Sequence, residues 1–409
     1  MKQALLNIQG DKVLWAIAGL LALFSFMPVY SASSNLAYLY GDGNTFKYLI
    51  KHAVHLGLGF LIVYGVHKIP YNYFKGLSMI MLPIAVVLLV VTIAQGTTIG
   101  GANASRWIRI PVVGVTFQTS TLASVVLLSF VARYLAKIAS KAYTFKETLV
   151  PLWLPVMLVV ACIWWLPVML VVACIFPANF STAAIIFSMV IMLVFIGGYP
   201  LKYLAIIFAT GLLFLTLFIL AAKAFPGAFS NRVDTWTSRI ENFLDDSENQ
   251  KDNYQIERAK IAIATGGLIG QGPGKSVQKN FLPQSSSDFI YAIVVEEFGL
   301  LGAVGIMFAY LLVLARLIII SHKCEDVFGK LLVLGVGLPI VFQALINMAV
   351  AVELFPVTGQ TLPLVSSGGT SIWMTCLALG IVISVSVKST PKEKEESEAN
   401  PLDILSETI

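Results

Sequence analysis

Apolar residues in this chain come in runs near 20 long, separated by short polar connections, along almost its whole length. A bilayer-crossing helix needs about 20 such residues. Ten spans are predicted: Val13–Tyr30, Tyr48–Val66, Gly76–Ala94, Phe117–Ala136, Leu149–Phe176, Thr182–Ile196, Leu201–Ala222, Phe289–Ile319, Leu331–Leu354 and Thr370–Val387. The runs are continuous, whereas membrane barrel strands alternate over segments of about ten residues. The pattern therefore predicts an all-α, polytopic integral membrane protein with ten transmembrane helices. The eighth span is overlong, and its first residues are expected at the interface. One membrane domain covers 1–390, with a large extracytoplasmic loop (223–288) between helices seven and eight. The acidic stretch 391–409 reads as a disordered cytoplasmic tail.

Composition agrees: 57% of the 409 residues are hydrophobic and 12% charged. Soluble domains carry about twice that charge. The net charge of +5 is too small to argue for nucleic acid. The basic residues instead set an orientation. With the N-terminus inside, fifteen of the 27 Lys and Arg fall on short cytoplasmic segments, four on short external ones and eight in the long loop. Both termini are expected in the cytoplasm of a multi-pass protein. The first apolar run follows Lys12 without a small-residue cleavage site, so it is expected to stay as an anchor. Cys162, Cys174, Cys324 and Cys376 lie in or beside apolar runs and read as packing residues. His52 and His55 are one turn apart without an acidic partner and read as structural.

Eleven residues, Trp153–Ile163, recur unchanged as Trp165–Ile175 at an offset of twelve. The run 149–176 would be about 42 Å long if wholly helical, against a hydrocarbon core of about 30 Å. It must tilt, kink at Pro155 or Pro167, or push one copy out of the core. A recent duplication or an assembly error is the favoured origin.

Three polar segments carry candidate chemistry. In Phe281-Leu-Pro-Gln-Ser-Ser-Ser-Asp-Phe-Ile-Tyr-Ala-Ile-Val-Val-Glu-Glu-Phe-Gly299 a polar stretch runs straight into an apolar one. Asp288 stands at that boundary, where a carboxylate is costly unless paired or used. It is placed to act on a substrate half lipid and half polar, or to cap the following helix, and the two roles are compatible. Gly100-Gly-Ala-Asn-Ala-Ser-Arg-Trp-Ile-Arg109 pairs cations with an aromatic, which suits a lipid headgroup or an interfacial anchor. Phe355-Pro-Val-Thr-Gly-Gln-Thr-Leu-Pro-Leu-Val-Ser-Ser-Gly-Gly-Thr-Ser371 puts Pro, Gly and hydroxyls at span depth, tolerated only against protein or a polar cavity. Within the long loop, Tyr254 to Ala264 reads as an amphipathic helix, Ile256, Ala259 and Ile263 on one face. The stretch Gly270-Gln-Gly-Pro-Gly-Lys-Ser276 fails a nucleotide-binding P-loop, because position 269 is Ile and no strand precedes it. Its glycines bring backbone N–H groups near a phosphate, or form a plain turn.

These residues resemble the SEDS family (shape, elongation, division and sporulation). Tyr30-Ser-Ala-Ser33 resembles the end of its first span, and Ser105-Arg-Trp-Ile108 and Phe117-Gln118 resemble its third external region. Leu282 to Gly299 and Pro356 to Ser371 match its two most specific signatures, and the resemblance covers all ten spans. It is closer to the division-type FtsW branch than to the elongation-type RodA branch. Two places depart. Phe117-Gln-Thr-Ser-Thr-Leu-Ala-Ser124 lacks the acid and base usual there, and Phe176-Pro-Ala-Asn-Phe-Ser-Thr-Ala183 lacks an acid. Thr121, Ser124 and Asn179 replace a charge network with neutral polar groups.

The resemblance implies a peptidoglycan glycosyltransferase of the bacterial cytoplasmic (inner) membrane, acting in septal wall synthesis. Its substrate would be lipid II, a disaccharide-pentapeptide on a polyprenyl pyrophosphate. A sugar hydroxyl needs a positioned base to attack, and Asp288 is the candidate. Arg106, Lys275 and Lys279 are candidates for the leaving pyrophosphate, with Trp107, Gln118, Glu297, Ser366 and Ser367 as further substrate-binding candidates. Glu296 and Glu297 lie two turns on from Asp288, as candidates for tuning it, for structural pairing or for holding a divalent cation (Mg or Mn). Expected partners are a class B penicillin-binding transpeptidase, other division proteins and membrane lipids. A lipid II flippase, an elongation polymerase and a non-catalytic division scaffold are the rival readings.

Overall fold

The computed structural model describes residues 8–40, 44–95, 98–99, 102–103, 107–109, 116–139, 149–153, 180–206, 252–282 and 284–389, with a few single positions between 208 and 220. The long helices are α1 (Lys12–Tyr40), α2 (Thr45–Val66), α3 (Tyr73–Gln95), α4 (Thr119–Ile138), α5 (Phe180–Ile196), α6 (Asp252–Gly266), α7 (Ile290–Lys323), α8 (Val327–Ala351) and α9 (Gly369–Ser389). Seven of them, α1–α4 and α7–α9, are long and apolar enough to cross a membrane, and Thr182–Ile196 is a shorter apolar helix. These eight coincide with eight of the ten expected spans. Most of the other two, 149–176 and 201–222, lies outside the described residues, as do 154–175 of the tandem repeat, the tail and 223–251 of the long loop.

The protein is an all-α polytopic membrane protein. α8 and α9 are the most buried spans, whereas α2 and α3 keep much of their apolar surface outward. α9 packs on α2, α7 on α8, and α4 on both α3 and α8. Tyr310, Phe289 and Phe328 are the largest fully buried side chains. The expected all-helical character has one small exception. Thr98–Ile99 pairs with Ala102–Asn103, and Trp107–Arg109 pairs with Thr116–Gln118, as short antiparallel ladders ahead of α4. The β-branched and aromatic residues of these segments suit extended backbone.

α6 forms where the apolar period predicts it. Ala259 and Ala262 are fully buried, Ile256 and Ile263 pack against the core, and Glu257 and Lys260 face outward. The thiols of Cys324 and Cys376 are free and buried, as packing residues should be. His52 bonds the Ser25 hydroxyl at 2.7 Å, and the His55 ring lies against Trp373. Both histidines are therefore built into the packing of α1, α2 and α9.

α7 is two helices in one. Gly299 has φ 64° and ψ −162°, which interrupts the helical path between Phe298 and Leu300. A break at span depth leaves carbonyls and amides without helical partners, and each must be satisfied within the protein. The glycine-rich segment after α6 does so. Gln271 N donates to Glu296 O at 2.9 Å and Gly272 N to Glu297 O at 3.0 Å, while Leu300 N donates to Gly267 O at 2.9 Å. A Cβ at Gly266, Gly270 or Gly299 would collide with backbone across this contact. Within this stretch the N–H groups of Gln271 and Gly272 are spent on the broken helix and that of Gly270 on Gly266 O, so these three are not offered to a phosphate. The sequence's overlong eighth span resolves into this short entry helix and a full membrane helix.

Candidate functional site

Asp288 sits two residues before the first turn of α7, partly exposed, at the mouth of a narrow cleft. Phe289, Asn347, Val350, Val357, Thr358, Gly359 and Gln360 line the rest. The capping position of α7 is Phe289, which makes no side-chain capping bond.

The backbone around Asp288 is splinted. Three consecutive carbonyls precede the helix and have no helical donors, and each takes one from the wall formed by α8 and the segment after it. Ser286 O accepts from Ser367 N at 2.9 Å and Ser367 Oγ at 3.0 Å. Ser287 O accepts from Ser366 Oγ at 2.6 Å. Asp288 O accepts from Asn347 Nδ2 at 2.7 Å. Ser366 and Ser367 thus bind the acidic segment's backbone and fix where it lies. The wall is tied down in turn. Asn347 Nδ2 also reaches Gln360 O at 2.7 Å, Gln360 Nε2 reaches Thr182 Oγ1 at 2.8 Å, and Gln343 Nε2 reaches Thr361 O at 2.8 Å. Tyr310 donates to Pro363 O. Gln284 and Leu364, one in each signature, have φ of 57° and 63°. Such conformations persist only where surrounding contacts dictate them.

Glu296 and Glu297 are fully buried two turns on. Glu296 accepts from Ser276 Oγ, from Val277 N at 2.9 Å and from Gln278 N at 3.2 Å. Glu297 accepts from Ser31 Oγ on α1 and from Ser276 N at 3.4 Å. Lys279 Nζ stands beside them, donating to Ser31 Oγ at 3.3 Å and Gly274 O at 2.8 Å. A divalent cation requires several oxygen ligands. Glu296 has both oxygens engaged by N–H and O–H donors, Glu297 has one so engaged, and an ammonium group already sits beside the pair. These two side chains do not fit a metal. Among the described residues no group of three or more His, Cys, Asp or Glu is placed to hold one.

The remaining candidates are dispersed. Lys275 is exposed on the glycine-rich loop. Gln118 ends a strand, its N donating to Thr370 Oγ1 at 3.2 Å and its side chain to Ser120 at 3.2 Å. Trp107 begins the paired strand, and Arg106 lies outside the described residues, as does Asn179. Thr121 turns its hydroxyl back to Gln118 O at 2.8 Å. Sequence reasoning missed Asn347, Gln360 and Ser31. The signal for Asn347 was present, since an amide in an apolar span needs internal partners.

A family model described as cell cycle protein, covering FtsW, RodA and SpoVE, matches residues 11–391. The chain belongs to this family. It is 32% identical over 393 residues to a probable peptidoglycan glycosyltransferase FtsW of Hydrogenovibrio crunogenus, covering 94% of this chain and 93% of that one. It is 30% identical over 388 residues to the FtsW of a Geobacter species so described, covering 93% and 98%. Among solved structures it resembles a chain of a peptidoglycan synthase complex that coordinates polymerization and crosslinking. The TM-score is 0.70 at 25% identity, over 93% of this chain and 99% of that one. Rod shape determining protein RodA of Thermus thermophilus shares the fold, with a TM-score of 0.63 at 24% identity over 93% and 98%. As an FtsW/RodA/SpoVE protein, this chain has its two signature segments in direct contact, with Asp288 where they meet.

Proposed function

We infer that this chain is a peptidoglycan glycosyltransferase of the FtsW type, polymerising lipid II into glycan strands during septal wall synthesis. The observation that carries the reading is the partly exposed Asp288 at a cleft mouth, its carbonyl held by Asn347 and those of the two residues before it by Ser366 and Ser367. A general base works only when positioned within hydrogen-bond reach of its proton, and a splinted main chain supplies that positioning. Asp288 takes the proton of the acceptor's GlcNAc 4-hydroxyl as that oxygen attacks the donor's MurNAc anomeric carbon. The bond from that carbon to the pyrophosphate oxygen breaks, and polyprenyl pyrophosphate leaves. Its negative charge calls for cations, with Lys275 and Arg106 the groups proposed to meet it. Lys279, engaged with Ser31 and Gly274, acts at a distance. Any Mg or Mn would then be held by the pyrophosphate rather than by Glu296 and Glu297.

The basic residues favour a topology with both termini cytoplasmic, which faces the site outward from the inner membrane, toward the lipid-linked sugar. The similarity to a chain of a polymerization and crosslinking complex favours a class B penicillin-binding transpeptidase as partner, alongside other division proteins. Purified protein supplied with lipid II and the cognate transpeptidase should make glycan polymer, and Asp288→Asn should not. Polymer from both would remove Asp288 as the base. Lipid translocation without polymer would favour a flippase, and loss of division with neither activity would favour a scaffold.

A further inference from the structure

The amide of Asn347 is held in one orientation by chemistry. One end of it faces two carbonyls, Asp288 O and Gln360 O, each at 2.7 Å. Only the NH₂ end can donate to both, so the oxygen must point the other way. That oxygen, Oδ1, is buried and has no hydrogen-bond partner among the described residues. The side chain is 2% exposed, yet it lines the cleft together with Asp288 and Gln360. A buried acceptor left without a donor is destabilising, and native proteins satisfy nearly all such groups. An orphan beside the reacting carboxylate therefore points to a donor that arrives with the substrate.

We propose that Asn347 belongs to the acceptor-sugar subsite, its Oδ1 accepting a hydrogen bond from a ring hydroxyl of the incoming GlcNAc while its Nδ2 fixes Asp288. This deepens the glycosyltransferase reading and rests on it. The occupant must be an O–H or N–H donor, and a ring hydroxyl next to the attacking 4-hydroxyl is one. The pyrophosphate of the lipid-linked substrate, esterified at both ends, is excluded at this atom, since it carries no O–H donor at neutral pH. The arrangement lets one side chain sense the sugar and orient the base. Gln360, whose carbonyl shares the Nδ2 and whose own amide is anchored on Thr182, keeps the Asn347 side chain from rotating.

The test is a cycle between protein and substrate. Lipid II and analogues deoxygenated singly at the GlcNAc 3- or 6-hydroxyl are polymerised by the wild-type complex and by Asn347→Ala and Asn347→Ser complexes. Removing the hydroxyl read by Oδ1 should lower wild-type kcat/KM roughly tenfold, the worth of one neutral hydrogen bond. Asn347→Ala should lose at least as much on intact lipid II and then show no further loss on that analogue. Asn347→Ser keeps a small donor toward the two carbonyls, so it should recover part of kcat while remaining blind to the same hydroxyl. If both variants keep the wild-type penalty for each deoxy analogue, Asn347 does not touch the sugar and the proposal is overturned. It is equally overturned if no single deoxygenation affects the wild type. Polymerisation by Asp288→Asn would refute the base and leave this cycle readable, so the two failures are distinct.

Discussion

Leu300 N donates to Gly267 O at 2.9 Å, so a loop carbonyl stands in for a helical one at the break in α7. The break sets the direction of the short helix 290–298, and with it the approach of Asp288 to the cleft. Backbone geometry at Gly299 is therefore tied to the site eleven residues away.

Gly299→Ala should be among the most damaging small substitutions in the chain. Its φ of 64° and ψ of −162° lie in a region essentially reserved for glycine, and an added Cβ would strike the Leu268 carbonyl. A loss of about 2–4 kcal/mol is expected, read as a lower melting temperature in detergent together with lost polymerisation. Gly305→Ala is the control. Nothing lies within 4 Å of a Cβ there, so helix propensity makes it neutral or slightly stabilising. Equal behaviour of the two variants would refute the account of the break.

Much of this architecture is legible in the sequence, and the part that is not has a common cause. Run length alone places eight helices, because the bilayer forces apolar residues and internal backbone bonds on any spanning segment. Asp288 stands out because a charge beside hydrocarbon is conspicuous. Gly270 to Gly274 does not reveal its purpose, because its partners, Glu296 O and Glu297 O, are main-chain atoms far along the chain. Ser366 and Ser367 are visible as polar groups at span depth, but only coordinates show that they grip the backbone of Ser286 and Ser287. Glu296 and Glu297 look like metal ligands until Ser31, some 270 residues earlier, is seen bonded to one of them.

Ser31→Ala and Glu297→Ala should differ in a defined order. The serine variant removes one charge-assisted bond, worth about 1–2 kcal/mol. The glutamate variant leaves the Ser31 hydroxyl and Ser276 N without their acceptor and removes the carboxylate beside the Lys279 ammonium group, at about 3 kcal/mol or more. Adding Ser31→Ala to Glu297→Ala should then cost little, since the partner is already gone. Additive losses in thermal unfolding would show that the two side chains act independently.

The seating of Glu296 also predicts an indifference. With its oxygens occupied by Ser276, Val277 and Gln278 donors, Glu296→Gln should leave unchanged the Mg or Mn concentration that half-saturates polymerisation, even where the rate falls. A shift of that concentration by tenfold or more would place the metal at Glu296 and contradict the geometry.

At the opposite end of α7, Arg316 grips Asp11 through Nε and Nη2. Asp11 Oδ1 also accepts from Leu14 N at 2.8 Å, capping α1, and its own N donates to Ser386 Oγ on α9 at 2.9 Å. The Asp11 side chain is 5% exposed and that of Arg316 26%, so water screens the pair weakly. Breaking a buried pair from one side typically costs about 3–5 kcal/mol, and the residual exposure of Arg316 lowers the expectation for Arg316→Ala to about 2–3 kcal/mol. The exposed pair Lys260–Glu353, at 53% and 39%, should contribute less than about 1 kcal/mol when Lys260 is replaced by Ala. Because Asp11 joins three helices while Lys260 joins α6 only to the turn after α8, Arg316→Ala should also accelerate hydrogen exchange at the start of α1 and at the end of α9. Protection unchanged at both places would mean that the clamp is ornamental, with the helices held there by apolar packing alone.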